Sequence, residues 1–316
     1  LTFSRVWTDA GEIRMDNRGN EIRPTQTEAP RWESTYLRDY MGYYIEPYSY
    51  YFNKGKNTIR LVAISEPVAI SNLVIGQKEE LPSYDEYIAS FDANNYKNTD
   101  TDFYYKKQGE EAEYRSSPTL YAIFDRASSN TEPYSASKIK LNSIGGDQWR
   151  VAGQWIEWEF EVPEDGFYNI SFKAKQNYNR GMVSVRTVMI DGQTPFKEAA
   201  QLEFKYNTGW QLTTLADEEG VPYKIPLTKG KHTIRLEVTM GKIGDILTEL
   251  DKSIYRLNSI YRKILVLTGA RPDRYRDYRI DLKYPEVMTA MEEEIKVLND
   301  ITKNLEEATG QRGADT

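Results

Sequence analysis

The sequence predicts a mainly β protein: an antiparallel β-sandwich that occurs twice, with a helical insertion forming a hairpin at the C-terminal end. Three observations carry this. "KGKNTIRLV" (54–62) and "KGKHTIRLEV" (229–238) agree at seven of their first eight positions, so one folding unit is written twice, about 175 residues apart. "WIEWEFEV" (155–162) alternates with period two and runs into a Pro-Glu-Asp-Gly turn, as a strand and hairpin do. After Gly241 the apolar spacing changes to three and four, which is helical.

Composition narrows the function. A chain of 316 residues, 39% hydrophobic and 28% charged, can bury a real core. Its net charge of −7 argues against a nucleic-acid binder, which would be basic. Without cysteine it has neither disulfides nor a thiolate metal site. No run of about 18 apolar residues exists, so no membrane span is expected in this segment. Tyrosine is abundant, 24 against 10 Phe, and gives strands and wet binding surfaces an apolar face with a polar tip.

Residues 1–78 are expected to be the second half of a first sandwich module. "SRVWTDAG" (4–11) lies opposite "RTVMIDG" (186–192), Trp32 opposite Trp210, and the turn at Lys54 opposite that at Lys229. The chain therefore starts about halfway through the repeat unit. Residues 79–101 form a linker in which "PSYDEYIASF" reads as a short helix, with Ser83 as N-cap and acids in its first turn.

Residues 102–241 are expected to be the second module. Ile156, Trp158, Phe160 and Val162 point to its core, whereas Trp155, Glu157, Glu159 and Glu161 point outward. "FYNISFKAK" (167–175), "SVRTVMIDG" (184–192) and "HTIRLEVTM" (232–240) supply further strands between Pro, Gly and Asn turns. Residues 242–316 form a helical hairpin. Ile246, Leu250, Leu257 and Ile264 belong to the stripe of its first helix, which ends near Gly269. Pro285 starts the second, with Met288, Met291, Ile295 and Ile301 on its stripe and Gly310 as stop. "ARPDRYRDYRIDLKY" connects them with room for one helical turn. The hairpin stands where copy one has "AISEPVAISNLVIG" (63–76), so it is expected to be an insertion before a last strand lying beyond Thr316.

"GQWIEWEFEVPEDGFYNISFKAK" (153–175) with "GKHTIRLEV" (230–238) resembles carbohydrate-binding modules of the galactose-binding-like β-jelly-roll fold. More specifically, "TEPYSASKIKLNSIGG" (131–146), "LNSIYRKILVLTG" (257–269) and "LPSYDEYI" (81–88) resemble large extracellular solute-binding proteins of bacterial ABC sugar transporters. The resemblance implies carbohydrate recognition without catalysis on an extracellular or cell-surface protein, lipoprotein-anchored in its full-length form. It also implies, as partners, an oligo- or polysaccharide, a solute-binding domain of the same longer chain and an ABC permease. A structural calcium is implied at Glu111 and Glu113 of "GEEAEY". Two other readings stand beside this one: a spacer and docking region for a permease or neighbouring domain, and an accessory module of a glycoside hydrolase.

Catalytic signals are weak. His232 is the only histidine and stands at the head of a strand without a placed partner, so strand packing accounts for it. Neither a nucleophile elbow nor a phosphate-cradling loop is present. Sugar binding instead needs flat aromatic faces beside amides and charges that take hydroxyls. Tyr134, Trp149, Trp155 and the loop Asn177, Tyr178, Asn179 and Arg180 offer both. The alternative for each aromatic is core or rim packing, and for "QNYNRG" it is ordinary turn chemistry.

Overall fold

Alternating apolar residues at 155–162 and 232–240 need a face to bury. The structure, a computed structural model, gives them one by pairing the two runs at its centre. It describes residues 3–39, 42–43, 47–62, 64, 68–77, 80–91, 97–98 and 103–309. Strands β1 (Trp7–Asp9), β2 (Arg14–Met15), β3 (Glu21–Ile22) and β4 (Gln26–Glu28) come first, then helix α1 (Tyr84–Ala89) and β5 (Lys97–Asn98). The body follows as β6 (Tyr114–Arg115), β7 (Ala122–Ile123), β8 (Ser143–Ile144), β9 (Trp155–Val162), β10 (Gly166–Tyr168), β11 (Ser171–Ala174) and β12 (Ser184–Ile190). Strands β13 (Leu202–Phe204), β14 (Gln211–Thr214), β15 (Ile225–Leu227) and β16 (Gly230–Thr239) complete it, and α2 (Lys242–Thr268), α3 (Ile280–Lys283) and α4 (Pro285–Thr309) end the chain.

One layer is a seven-stranded antiparallel sheet in the order β13-β12-β16-β9-β6-β1-β4. The β9–β16 register sets Ile156 opposite Leu236 and Trp158 opposite Ile234, so their inward faces coincide. The three-stranded sheet β15-β10-β5 and the pair β11-β14 share its core from the other side. Between the layers lie Val188, Phe196, Leu215, Ile225, Leu227 and Leu236, all buried. Burial of a ring such as Phe196 contributes roughly 1.5–3 kcal/mol, which is why the sandwich closes here. Helix α1 forms where expected. Ser83 and Glu86 make a capping box, and Tyr84 and Tyr87 lay their rings 5.2 Å from that of Phe196.

The first thirty residues correct one expectation. Strands β1 and β4 do not start a module of their own; they extend the sheet of 102–241, β1 pairing with β6. The cause is Arg115, fully buried, whose guanidinium grips Asp9 with two bonds of 3.1 and 3.0 Å and reaches Gln26 Oε1 at 3.1 Å and the Ala112 carbonyl at 2.7 Å. A buried cation requires such partners. Residues 54–62, expected as a strand, form none, and Ile59, Leu61 and Val62 are exposed. Their counterparts in β16 lie between β9 and β12.

The outer face of the central sheet holds a second correction. Glu157 is 3% exposed and not solvated, because residues 31–38 cross over it. Arg31 donates to Glu157 at 2.8 Å, Arg235 to Glu157 at 2.6 Å and to Glu33 at 3.1 Å, and Arg38 pairs with Glu237 at 2.6 Å. Glu159 is half-buried, its backbone N–H donating to Glu113 Oε2, and of the three only Glu161 is exposed. Inward, Ile156 and Val162 are buried as expected, but Trp158 and Phe160 are only half-buried at the edge of the core. Trp158 is oriented by its indole N–H, which donates to the Gly109 carbonyl at 3.0 Å.

The helices follow the predicted period. α2 stops at Gly269, whose left-handed conformation (φ 72°) suits glycine, and α3 supplies the turn expected in the connector. Gly310, the expected stop of α4, lies outside the described residues. α2 is ~40 Å long at 1.5 Å per residue, and residues 269–279, which include turns, cannot run back along it, so α4 returns antiparallel. At mid-seam the buried Ser253 hydroxyl donates to the buried Glu294 at 2.6 Å, and Arg256 pairs with the same carboxylate. No helix among the described residues is long and apolar enough to cross a membrane.

Candidate functional site

β11 ends, β12 begins and β9 begins at one end of the sandwich, so the loops 145–154, 175–183 and 205–210 gather there. Loop 176–182 is built inward from Gln176, which is buried. Its amide nitrogen donates to the carbonyls of Asn179 (3.2 Å) and Met182 (2.9 Å), and its amide oxygen accepts from the N–H of Tyr178 and Asn179 at 3.1 Å. The loop therefore holds its shape without help from the side chains of Asn177, Tyr178, Asn179 and Arg180, all of which are exposed, Tyr178 by 63%. These four are consecutive in the chain and lie together on the exposed side of that loop.

Tyr178 stands against Gly146, where a Cβ would lie 3.8 Å from the phenol oxygen and 2.9 Å from Ile123. Glycine is required there by this close approach as well as by its φ of 61°. The surface continues from Ile123 to Asp125. Asp125 accepts from the Trp210 indole at 2.9 Å and pairs with Lys175, and its backbone N–H donates to Asn142 Oδ1 at 2.8 Å. Burial works to raise the pKa of Asp125, but Lys175, the N–H of Ala127 and the Trp210 indole outweigh it and hold the carboxyl below its ordinary range. Asn142 also donates to the Pro133 carbonyl at 3.0 Å, anchoring the loop that carries Tyr134, which is exposed. Lys175 lies over the Trp210 ring at 5.3 Å and Arg126 over that of exposed Phe124 at 5.6 Å.

Sequence reasoning missed Asp125, Lys175 and Trp210. Trp210 enters the repeat alignment only, although an aromatic after "NTG" at a strand start carries the same signal as Trp149.

The other expected residues differ. Trp149 is half-buried against the core; its indole donates to the Gln154 carbonyl at 3.3 Å, and the Arg186 guanidinium stacks on it at 4.4 Å. Arg186 donates to the carbonyls of Val185 and Trp149, and burial lowers its pKa to about 10. Trp155 is 5% exposed under Arg235, which lies 3.7 Å over its ring, so it has no free face for a sugar. His232 packs as a strand residue, bonded at 2.7 Å to both Asp191 and the Thr228 carbonyl.

Glu111 and Glu113 are engaged elsewhere. Glu111 accepts from the N–H of Gln108 at the start of a short 3-10 turn. Glu113 pairs with Lys107 and accepts from Glu159 N–H at 2.8 Å. Among the described residues no three His, Cys, Asp or Glu side chains gather as a metal site. As placed, the two carboxylates do not offer calcium the 6–8 oxygens it takes.

Residues 245–315 match the family model described as "Bacterial solute-binding protein, 4-helix bundle domain". This agrees with the resemblance read from 257–269. No curated protein matched the chain. Among solved structures, a cycloisomaltooligosaccharide glucanotransferase of Paenibacillus sp., complexed with cycloisomaltoheptaose, is 23% identical over 51% of this chain with a TM-score of 0.32. The chain spans only 21% of that enzyme's length. A family 35 carbohydrate-binding module from Clostridium thermocellum is 17% identical over 37% of this chain and 75% of its own, with a TM-score of 0.27. Another family 35 module, from an environmental isolate, is 22% identical over 37% and 72%, with a TM-score of 0.23.

Proposed function

We propose that the sandwich is a non-catalytic carbohydrate-recognition module. An oligo- or polysaccharide would bind at the loop end carrying Asn177, Tyr178, Asn179 and Arg180, with Tyr134 beside the same loop cluster. The observation that supports this most is the Tyr178 ring, exposed on a loop whose shape is fixed from below by buried Gln176. An aromatic held open in this way can take the apolar face of a pyranose while neighbouring amides and Arg180 take its hydroxyls. Glycan-array screening of the chain, followed by titration of the hit, tests it. Tyr178→Ala should abolish binding and leave the thermal midpoint nearly unchanged, since the ring covers little core. Binding at wild-type affinity in that variant would move the site elsewhere.

In the full reading, the module belongs to a secreted, cell-surface ABC-type sugar solute-binding protein, with a solute-binding domain on the same longer chain and a permease as partner. The match of 245–315 to a solute-binding helical domain supports that setting. Calcium at Glu111 and Glu113 remains part of the proposal only if Lys107 is displaced from Glu113.

A further inference from the structure

The loop 215–224 follows the end of β14, so it lies at the end of the sandwich opposite loop 176–182. Between it, α1 and the 3-10 turn 197–201 opens a cavity of about 350 Å³. Its walls are fixed by the chain's own bonds. Asp217 Oδ1 accepts from the N–H of Glu219 (3.0 Å) and Val221 (2.8 Å), and the Tyr223 N–H donates to the Leu215 carbonyl at 2.9 Å, which closes the loop on itself. The Tyr84 N–H donates to Glu198 Oε2 at 3.0 Å, and the Tyr84 hydroxyl accepts from the Lys224 N–H at 2.8 Å, which ties α1 to both other walls. The Tyr84 and Tyr223 rings lie 4.3 Å apart. Tyr223 is only 9% exposed, and its hydroxyl has no hydrogen-bond partner among the described residues. That oxygen is not sealed in the core; it opens on the cavity. Burial and the charges of Glu198 and Asp217 raise its pKa, so it stays protonated with carboxylates for neighbours.

We propose that this cavity binds a small organic cation through a primary ammonium group, at a site separate from the proposed sugar surface. Charge and hydrogen-bonding capacity carry this together. Three carboxylates, Asp85, Glu198 and Asp217, stand against one cation, Lys224, among the described residues that line it. The bonds that build the walls use one oxygen of Glu198 and one of Asp217, which leaves the other oxygen of each to accept. An ammonium is all donors and suits such a lining. A bare metal ion does not: among the described residues no three acids converge as ligands, so the charge is spread around the cavity and not focused on a point. A cavity of this size instead has room for a body of several carbon atoms, whose apolar side would rest on Tyr84 and Tyr223. The open Tyr223 hydroxyl can accept from the ammonium or donate to a ligand oxygen. An amino sugar and an alkyl diamine share this chemistry.

The test is isothermal titration of the full chain with glucosamine, putrescine and N-acetylglucosamine at about pH 6, where the amines are cationic and the carboxylates ionised. Ligands this small should bind with a Kd of ~1 mM, so titration runs to about 10 mM. At least one amine should bind, and which one does identifies the body that the cavity accepts. Affinity should be the same in Tyr178→Ala, which removes the proposed sugar surface, and there the uncharged N-acetylglucosamine should bind far more weakly than the amine that binds. Asp85→Asn combined with Glu198→Gln, both exposed, should weaken amine binding by about tenfold or more with the thermal midpoint unchanged. Tyr223→Phe keeps the ring and should weaken it several-fold. No binding of either amine up to that concentration, N-acetylglucosamine binding as tightly as the amine in Tyr178→Ala, or amine affinity lost in Tyr178→Ala would each overturn the proposal. Unchanged affinity in the double variant or in Tyr223→Phe would overturn it as well.

Discussion

Asp9→Ala should destabilise the sandwich by far more than a surface substitution. Arg115 is 0% exposed, and among the described residues Asp9 supplies its only carboxylate, through two bonds of 3.1 and 3.0 Å. Its Nε has no hydrogen-bond partner even in the native arrangement, so the side chain has no spare acceptor to fall back on. Removing one partner of a buried ion pair typically costs ~3–5 kcal/mol, because an uncompensated charge stays behind. For a domain of this size that is a fall of roughly 6–20 °C in thermal midpoint. The loss should be local in origin, so limited proteolysis should cut first in residues 1–30, where β1 and β4 depend on Arg115. Arg115→Met combined with Asp9→Ala should recover much of the loss, since an apolar pair of similar volume removes the stranded charge. Scanning calorimetry of the two single variants and the double variant measures this directly. A loss under about 1 kcal/mol for Asp9→Ala, or a double variant no better than that single variant, would refute the reasoning.

His232 has its pKa raised: burial works to lower it, but the Thr228 carbonyl and the Asp191 carboxylate favour the imidazolium more strongly. Its contribution to stability is therefore fully present below the unfolded pKa and lost as pH rises through the higher folded value; His232→Gln should flatten that part of the stability–pH curve. Glu110 is buried with one oxygen unpartnered, and desolvation pushes its pKa up to about 7. The folded state thus holds a proton that the unfolded state releases near pH 4.5, and stability falls as pH rises from there toward 7. Glu110→Gln should raise the urea midpoint at pH 8 and leave it nearly unchanged at pH 4. Millimolar calcium or chelator should leave the thermal midpoint unmoved while Lys107 occupies Glu113, and a rise of several degrees with calcium would show that the carboxylates rearrange around the ion.

What the sequence made legible were the features that depend on near neighbours in the chain. Alternation at 155–162 is local, and so are the Ser83 cap and the three-and-four spacing of the apolar residues in α2 and α4. Residues 54–62 show the limit. They repeat β16 almost letter for letter yet form no strand, because a strand exists only by pairing, and what flanks it in space is not written in its own residues. The same limit hid the cover over Glu157: period two correctly placed that carboxylate on the outer face, but only the structure brings Arg31 and Arg235 onto it. At the candidate site the loop 177–180 was readable from its composition. Asp125 and Trp210 were not, because they are far apart in sequence and meet only when the loops converge.

The passage from β16 into α2 takes only two residues, Met240 and Gly241, and β16 is hydrogen-bonded on both sides, to β9 and to β12. Tension applied to the helices and directed along β16 would therefore load two ladders of antiparallel bonds lengthwise, and all of them must slip together before the strand gives way. Peeling an edge strand such as β4 breaks such bonds one after another at far lower force. The hairpin is in this sense mechanically earthed in the strongest line of the sheet, and a pull on it should reach the core before it strips the periphery.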